Sequence, residues 1–169
     1  MFLKRYIIIY ALLISISNIV YSQVPSSAWF HRYTFSSMYR INAVSFTDTM
    51  NGWAVGWSEG NGVILHTFDG GETWSEQVRD TISSELKDIA LTVDTMGWAV
   101  GRGRCYETYN GGKSWELVPQ ENFQCGEFVG LSDMQSVAIW PPASGVIVGT
   151  QNIVANTSDG GQSWNCQNL

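Results

Sequence analysis

The feature that most constrains this chain is an eight-residue phrase written three times. "TFDGGETW" at 67–74 returns as "TYNGGKSW" at 108–115 and as "TSDGGQSW" at 157–164, so that T-x-[DN]-G-G-x-[TS]-W punctuates the sequence. A second signature precedes each copy: "GWAVG" at 52–56, "GWAVG" at 97–101 and the weaker "GVIVG" at 145–149. Ahead of that lies an alternating apolar segment, "INAVSF" at 41–46, "LKDIAL" at 86–91 and "MQSVAI" at 134–139. A unit recurring at roughly 45 residues must be one supersecondary motif that buries its apolar surface against its own copies.

Within each unit the sequence reads as four short strands. The alternating segment is the first, and the glycine-flanked W-A-V core is the second. "GVILHT", "RCYETY" and "NIVANT" supply the third. The fourth begins at the tryptophan that closes each octet. No stretch sustains an apolar period near 3.6, which predicts essentially no helix in this region. Four strands per repeat describe a propeller blade. The expected fold is therefore all-β, a partial β-propeller of three four-stranded blades at about 41–80, 81–125 and 126–169, the octet being the hairpin between the third and fourth strands. In that hairpin the side chains of Asp69, Asn110 and Asp159 can accept hydrogen bonds from turn N–H groups. The pairs Gly70-Gly71, Gly111-Gly112 and Gly160-Gly161 supply positive φ. Trp74, Trp115 and Trp164 bring apolar area to a turn otherwise short of it, and Thr67, Thr108 and Thr157 open each box.

The chain begins with Lys4 and Arg5 ahead of an apolar run from Tyr6 that turns polar before Ser22. A charged start, a short apolar stretch and a small residue predict a secretory signal peptide over 1–22. The run falls short of the roughly 20 residues of a membrane span. Residues 23–40 then form a leading strand, centred on "SAWFHRYTF" at 27–35, and a linker. The expected location is secreted, periplasmic or cell-surface, with no membrane span after cleavage. The formal net charge is −6, and loss of Lys4 and Arg5 makes it more negative. Nucleic acid and anionic membranes reward clustered Lys and Arg and are excluded as partners on that ground.

The T-x-D-G-G-x-T-W phrase resembles the Asp-box, or bacterial neuraminidase repeat. The longer unit with GWAVG resembles the photosystem II assembly-factor family of propellers over about 41–169. That resemblance implies a ring of six or seven blades, of which three are present, with the leading segment as an outer strand that closes the ring. It also implies that the Asp-box residues are structural and that the chain is a non-catalytic module binding or assembling a protein partner, as a homodimer or with further C-terminal blades. The alternative is a fragment of a glycan-active protein, a sialidase-like hydrolase or a lectin. Arg32, Arg40, Arg79, Arg102 and Arg104 stand in no recognisable sialidase context, however, and His31 and His66 in no HExxH or nucleophile-elbow context. No cofactor motif occurs, and "DTMNG" at 48–52 reads as turn chemistry, since the rest of a calcium loop is missing. The connection at 119–133 is longer than its counterpart at 79–85 and reads as a tolerated surface insertion, the alternative being a loop for recognition.

Three cysteines follow the leader, without a CxxC spacing that would suggest zinc. Cys105 stands where the other units have Ile64 and Val154, so it is either a small buried apolar residue or half of a bridge to Cys125. Cys166, in the last strand, is expected to be free or to pair between molecules.

Overall fold

The computed structural model describes residues 38–82, 84–93, 95–124 and 133–168. The leader, the segment 27–35 and His31, Arg32 and Cys125 lie outside the described residues. Three antiparallel sheets follow one another along the chain. The first is β1 (Tyr39–Phe46), β2 (Gly52–Ser58), β3 (Asn61–Thr67) and β4 (Ser75–Arg79), in that spatial order. The second is β5 (Leu86–Leu91), β6 (Gly97–Gly101), β7 (Arg104–Thr108) and β8 (Glu116–Leu117). The third contains β10 (Met134–Trp140), β11 (Ser144–Gly149), β12 (Ile153–Thr157) and β13 (Trp164–Asn168). This is an all-β, partial propeller with the strand roles set out above. Among the described residues the one helical element is a 3₁₀ turn at Gln120–Asn122.

The third sheet departs from the four-strand plan. A short strand from the long connection, β9 (Phe123–Gln124), lies parallel to β13 and makes a fifth strand. Phe123 explains it: its ring stacks on Trp164 at 5.8 Å and 14° between planes. A stretch that reads as a surface insertion is thus partly core, covering an edge that would otherwise present unpaired N–H and C=O groups. The same pairing corrects the reading of Cys166, which is disulfide-bonded within the chain, whereas Cys105 is a free, buried thiol. Sequence separation hid this, because parallel pairing brings Phe123 and Gln124 level with Trp164 and Asn165.

All three sheets share one irregularity. The register between first and second strands slips between Ile41 and Ala43, between Leu86 and Asp88, and between Met134 and Ser136. A bulge at each site drives the carbonyl of the residue before it onto the partner strand. A Cβ at Gly56 or Gly101 would collide with the Arg40 or Glu85 carbonyl, and one at Gly149 would lie 2.8 Å from the Asp133 oxygen. The closing glycine of GWAVG is therefore a close-approach residue, required by the bulge.

The first and second sheets bury both faces of their second strands, which is why β2 and β6 read as continuous apolar runs, whereas β11 of the third sheet alternates and leaves Val148 exposed. Trp53, Val55 and Ile64 face Leu86, Ile89, Ala99 and Tyr106 of the second sheet. Trp98, Val100 and Cys105 face Met134, Val137, Ile147 and Trp164 of the third. Polar ties cross the same seams. Asn42 Nδ2 donates to the Leu86 carbonyl at 2.7 Å, and the Asp88 carboxylate accepts from Ser136 Oγ at 2.6 Å and Val137 N at 2.9 Å.

Candidate functional site

The three octet hairpins lie at one end of their sheets, and the threonine is the hub of each. Thr67 is fully buried; its Oγ1 accepts from Gly71 N at 2.9 Å and donates to Asp69 Oδ1 at 2.7 Å. Asp69 then accepts from Thr73 N at 2.8 Å and from Thr73 Oγ1 at 2.6 Å. Thr157, Asp159 and Ser163 repeat the arrangement, with the corresponding bonds at 2.7, 3.0 and 2.6 Å. Hydroxyl and amide donation from the residue four places on, Thr73 or Ser163, holds the Asp69 and Asp159 carboxyls down at about 2. In the second hairpin one hydrogen bond reverses. Asn110 Oδ1 accepts from Ser114 N at 3.0 Å, but its Nδ2 donates to Ser114 Oγ at 2.8 Å, so the serine hydroxyl becomes an acceptor.

The closing tryptophans differ in use. Trp164 is fully buried, while the indole N–H of Trp74 donates to the Gly71 carbonyl at 3.2 Å. Trp115 donates to Gln77 Oε1 at 3.1 Å, across the seam between first and second sheets. Trp53 donates to the same oxygen at 3.1 Å and to the Gly112 carbonyl at 3.2 Å. Two indole N–H groups fix which end of the Gln77 amide is oxygen, since indole only donates. The amide nitrogen is left facing His66 Nδ1 at 3.5 Å. His66 Nδ1 is then the acceptor, and the neutral ring carries its proton on Nε2. Burial lowers the His66 pKa, so the neutral form holds at pH 7. His66 is 4% exposed, and its Nε2 has no hydrogen-bond partner.

His66 lines a cleft of about 250 Å³ at the mouth of this seam, with Trp53, Phe68, Val93, Gly111 and Lys113 among its walls. Asp48 stands at its edge as turn chemistry, accepting from Met50 N and Asn51 N at 2.7 Å each and from Asn51 Nδ2 at 2.8 Å. Sequence reading noted His66 only as a histidine outside any catalytic motif and did not single out Gln77. The only signal for them was that His66 faces Trp53 in register, a pairing visible once β2 and β3 are aligned.

The arginines are dispersed among carboxylates. Arg40 pairs with Glu85 at 3.6 Å, Arg79 with Glu76 at 2.7 Å, and Arg104 with the buried Asp80 at 2.9 Å. Among the described residues no cluster of three or more His, Cys, Asp or Glu side chains is arranged to hold a metal.

The family model described as photosynthesis system II assembly factor YCF48 matches residues 23–135. The chain belongs to that family. Two solved structures share its fold. One, described as YCF48 bound to D1 peptide, is 24% identical with a TM-score of 0.65, covering 79% of this chain and 42% of that one. The other, YCF48 from Cyanidioschyzon merolae, is 20% identical with a TM-score of 0.61, covering 79% and 41%. The chain thus spans about two fifths of the length of these YCF48 structures. No curated protein matches it.

Proposed function

We propose that this YCF48-family chain is an exported, non-catalytic propeller segment that binds a protein partner. The observation that carries the reading is family membership, together with a relative of the same fold that is described as bound to a D1 peptide. Three features of the chain support it. The Asp69 and Asp159 carboxylates are consumed by turn hydrogen bonds, Arg40, Arg79 and Arg104 by separate ion pairs, and a seam cleft remains open at the hairpin end. Export is supported by the charged and apolar start of the chain and by the Cys166 disulfide, which fits an oxidising compartment. The acidic balance of the chain points to a partner segment that is not itself strongly acidic.

The test is a pair of measurements on the purified protein. Fluorescence anisotropy against an array of labelled peptides is expected to yield saturable binders in the micromolar range typical of peptide modules, and fluorogenic sialosides are expected to remain uncleaved. Turnover of a sialoside, or an array without one saturable binder, overturns the proposal.

A further inference from the structure

The repeat supplies its own comparison for the cleft between the first and second sheets. Position by position, Trp53, His66, Phe68 and Gly70 of the first unit correspond to Trp98, Glu107, Tyr109 and Gly111 of the second, and Gly111 in turn to Gly160 of the third. At the seam between the second and third sheets the chain closes the gap itself. The Tyr109 hydroxyl lies 2.9 Å from Glu107 Oε2 and 3.0 Å from the Gly160 carbonyl, bridging one hairpin to the next. At the seam between first and second sheets the same position is Phe68, which has no hydroxyl and is 67% exposed. The strand residue there is His66, whose buried Nε2–H is unpaired, and the carbonyl-bearing residue of the facing hairpin is Gly111. The hydroxyl that bridges the second seam has no counterpart at the first, where Phe68 supplies a ring alone.

From this we infer that the cleft takes a phenol, the side chain of a tyrosine presented by a peptide partner, whose hydroxyl accepts from His66 Nε2–H and donates toward Gly111. The inference rests on the protein-binding reading above and gives that reading its recognition chemistry. Size agrees, because about 250 Å³ lies below the range of roughly 300–1,000 Å³ for drug-sized ligands and suits one side chain. The aromatic walls agree as well. Trp53 stacks on His66 at 4.4 Å and 12°, and Phe68 stands edge-on to His66 at 3.9 Å and 68°. Another ring extends that series in the offset or T-shaped geometry aromatic groups prefer. Phe68 follows β3 directly and is 67% exposed, so its ring has room to give way as a phenol reaches the buried Nε2. Lys113 and Asp48 at the mouth have opposite signs, which favours a neutral occupant over an anion or a cation. An unpaired buried donor costs free energy that a hydroxyl acceptor returns, whereas a phenyl ring leaves it unpaired.

The experiment is an NMR titration of ¹⁵N-labelled protein with N-acetyl-tyrosinamide, N-acetyl-phenylalaninamide and benzoate, following backbone amides and the His66 imidazole. The tyrosine probe is expected to give saturable shifts centred on Phe68, Val93 and Lys113, to move the Nε2–H proton, and to bind about tenfold more tightly than the phenylalanine probe. In His66→Phe that tenfold preference should vanish; if this variant does not fold, movement of the wild-type Nε2–H by the tyrosine probe alone decides the matter. Equal affinity for the two amides, tighter binding of benzoate than of either, or no saturable shift at the cleft overturns the inference. Array peptides that bind while the cleft signals stay still overturn it and leave the protein-binding reading intact. Probe binding without any binding peptide removes that reading, and with it the peptide as source of the phenol.

Discussion

At the scale of single residues, the threonine that opens each Asp-box carries more of the hairpin than the aspartate that names it. Thr67 Oγ1 serves Gly71 N and Asp69 from a fully buried position, whereas the carboxylate reaches solvent. Thr67→Val keeps the shape and strands a buried N–H, which costs about 1–3 kcal/mol. Thr67→Ser keeps the oxygen and should recover most of that loss; chemical denaturation of the two variants checks the ordering. The hairpins also differ in acid. With folded pKa values of about 2, Asp69 and Asp159 lie below the ordinary carboxylate value of roughly 3.9. Their contribution is fully present above about pH 4 and is lost as pH falls through about 2. Asn110 has no such proton to gain. The Thr73 and Ser163 amides should therefore shift in an NMR titration over that window, and the Ser114 amide should not. The positions of the Asp-box residues were legible in the sequence because turn chemistry is local. The threonine hub was less so, since its importance comes from burial.

At the scale of elements, the second glycine of the second and third octets answers to a neighbouring sheet as well as to its own turn, whereas that of the first answers to its own sheet alone. Gly71 and Gly112 both have positive φ, at 94° and 76°. A Cβ on Gly71 would sit 3.7 Å from Trp74, an ordinary contact, while one on Gly112 would sit 2.5 Å from the ring of Trp53 in the preceding sheet. Both Gly→Ala changes incur the backbone strain, so the difference isolates the packing between sheets. Gly112→Ala should be the more destabilising by about 1–3 kcal/mol, the range for overpacking a close-fitted core, as read from paired thermal melts. Gly161 has the same relation to Trp98 Nε1, at 2.8 Å. The tryptophan of GWAVG in one unit thus packs on the octet of the next, which ties the two signatures together across the repeat boundary. In the third unit Val146 occupies the tryptophan's place.

At the scale of the whole molecule, the second sheet is flanked on both sides and its neighbours are not equivalent to it. Trp98 and Val100 of β6 face the third sheet while Ala99 faces the first, and all five residues of β6 are buried. Repeat assemblies draw stability from such shared interfaces. Amides of β6 should accordingly exchange with solvent at least about tenfold more slowly than those of the outer strand β4, whose residues are exposed or half-buried. Equal exchange in β6 and β4 would show that flanking by two sheets adds no local protection to β6.

The sequence by itself determined the repeat, its four-strand plan, the hairpin chemistry and the family resemblance, because strand alternation and glycine turns are written in consecutive residues. Tertiary structure alone decided how the units meet. The parallel strand β9, the bonded state of Cys166, the collision that requires Gly112, and the chain from Trp53 and Trp115 through Gln77 to His66 all join residues far apart in the chain. Each depends on which side chains the fold brings within contact distance, inside a sheet or across a seam, and no local pattern encodes that.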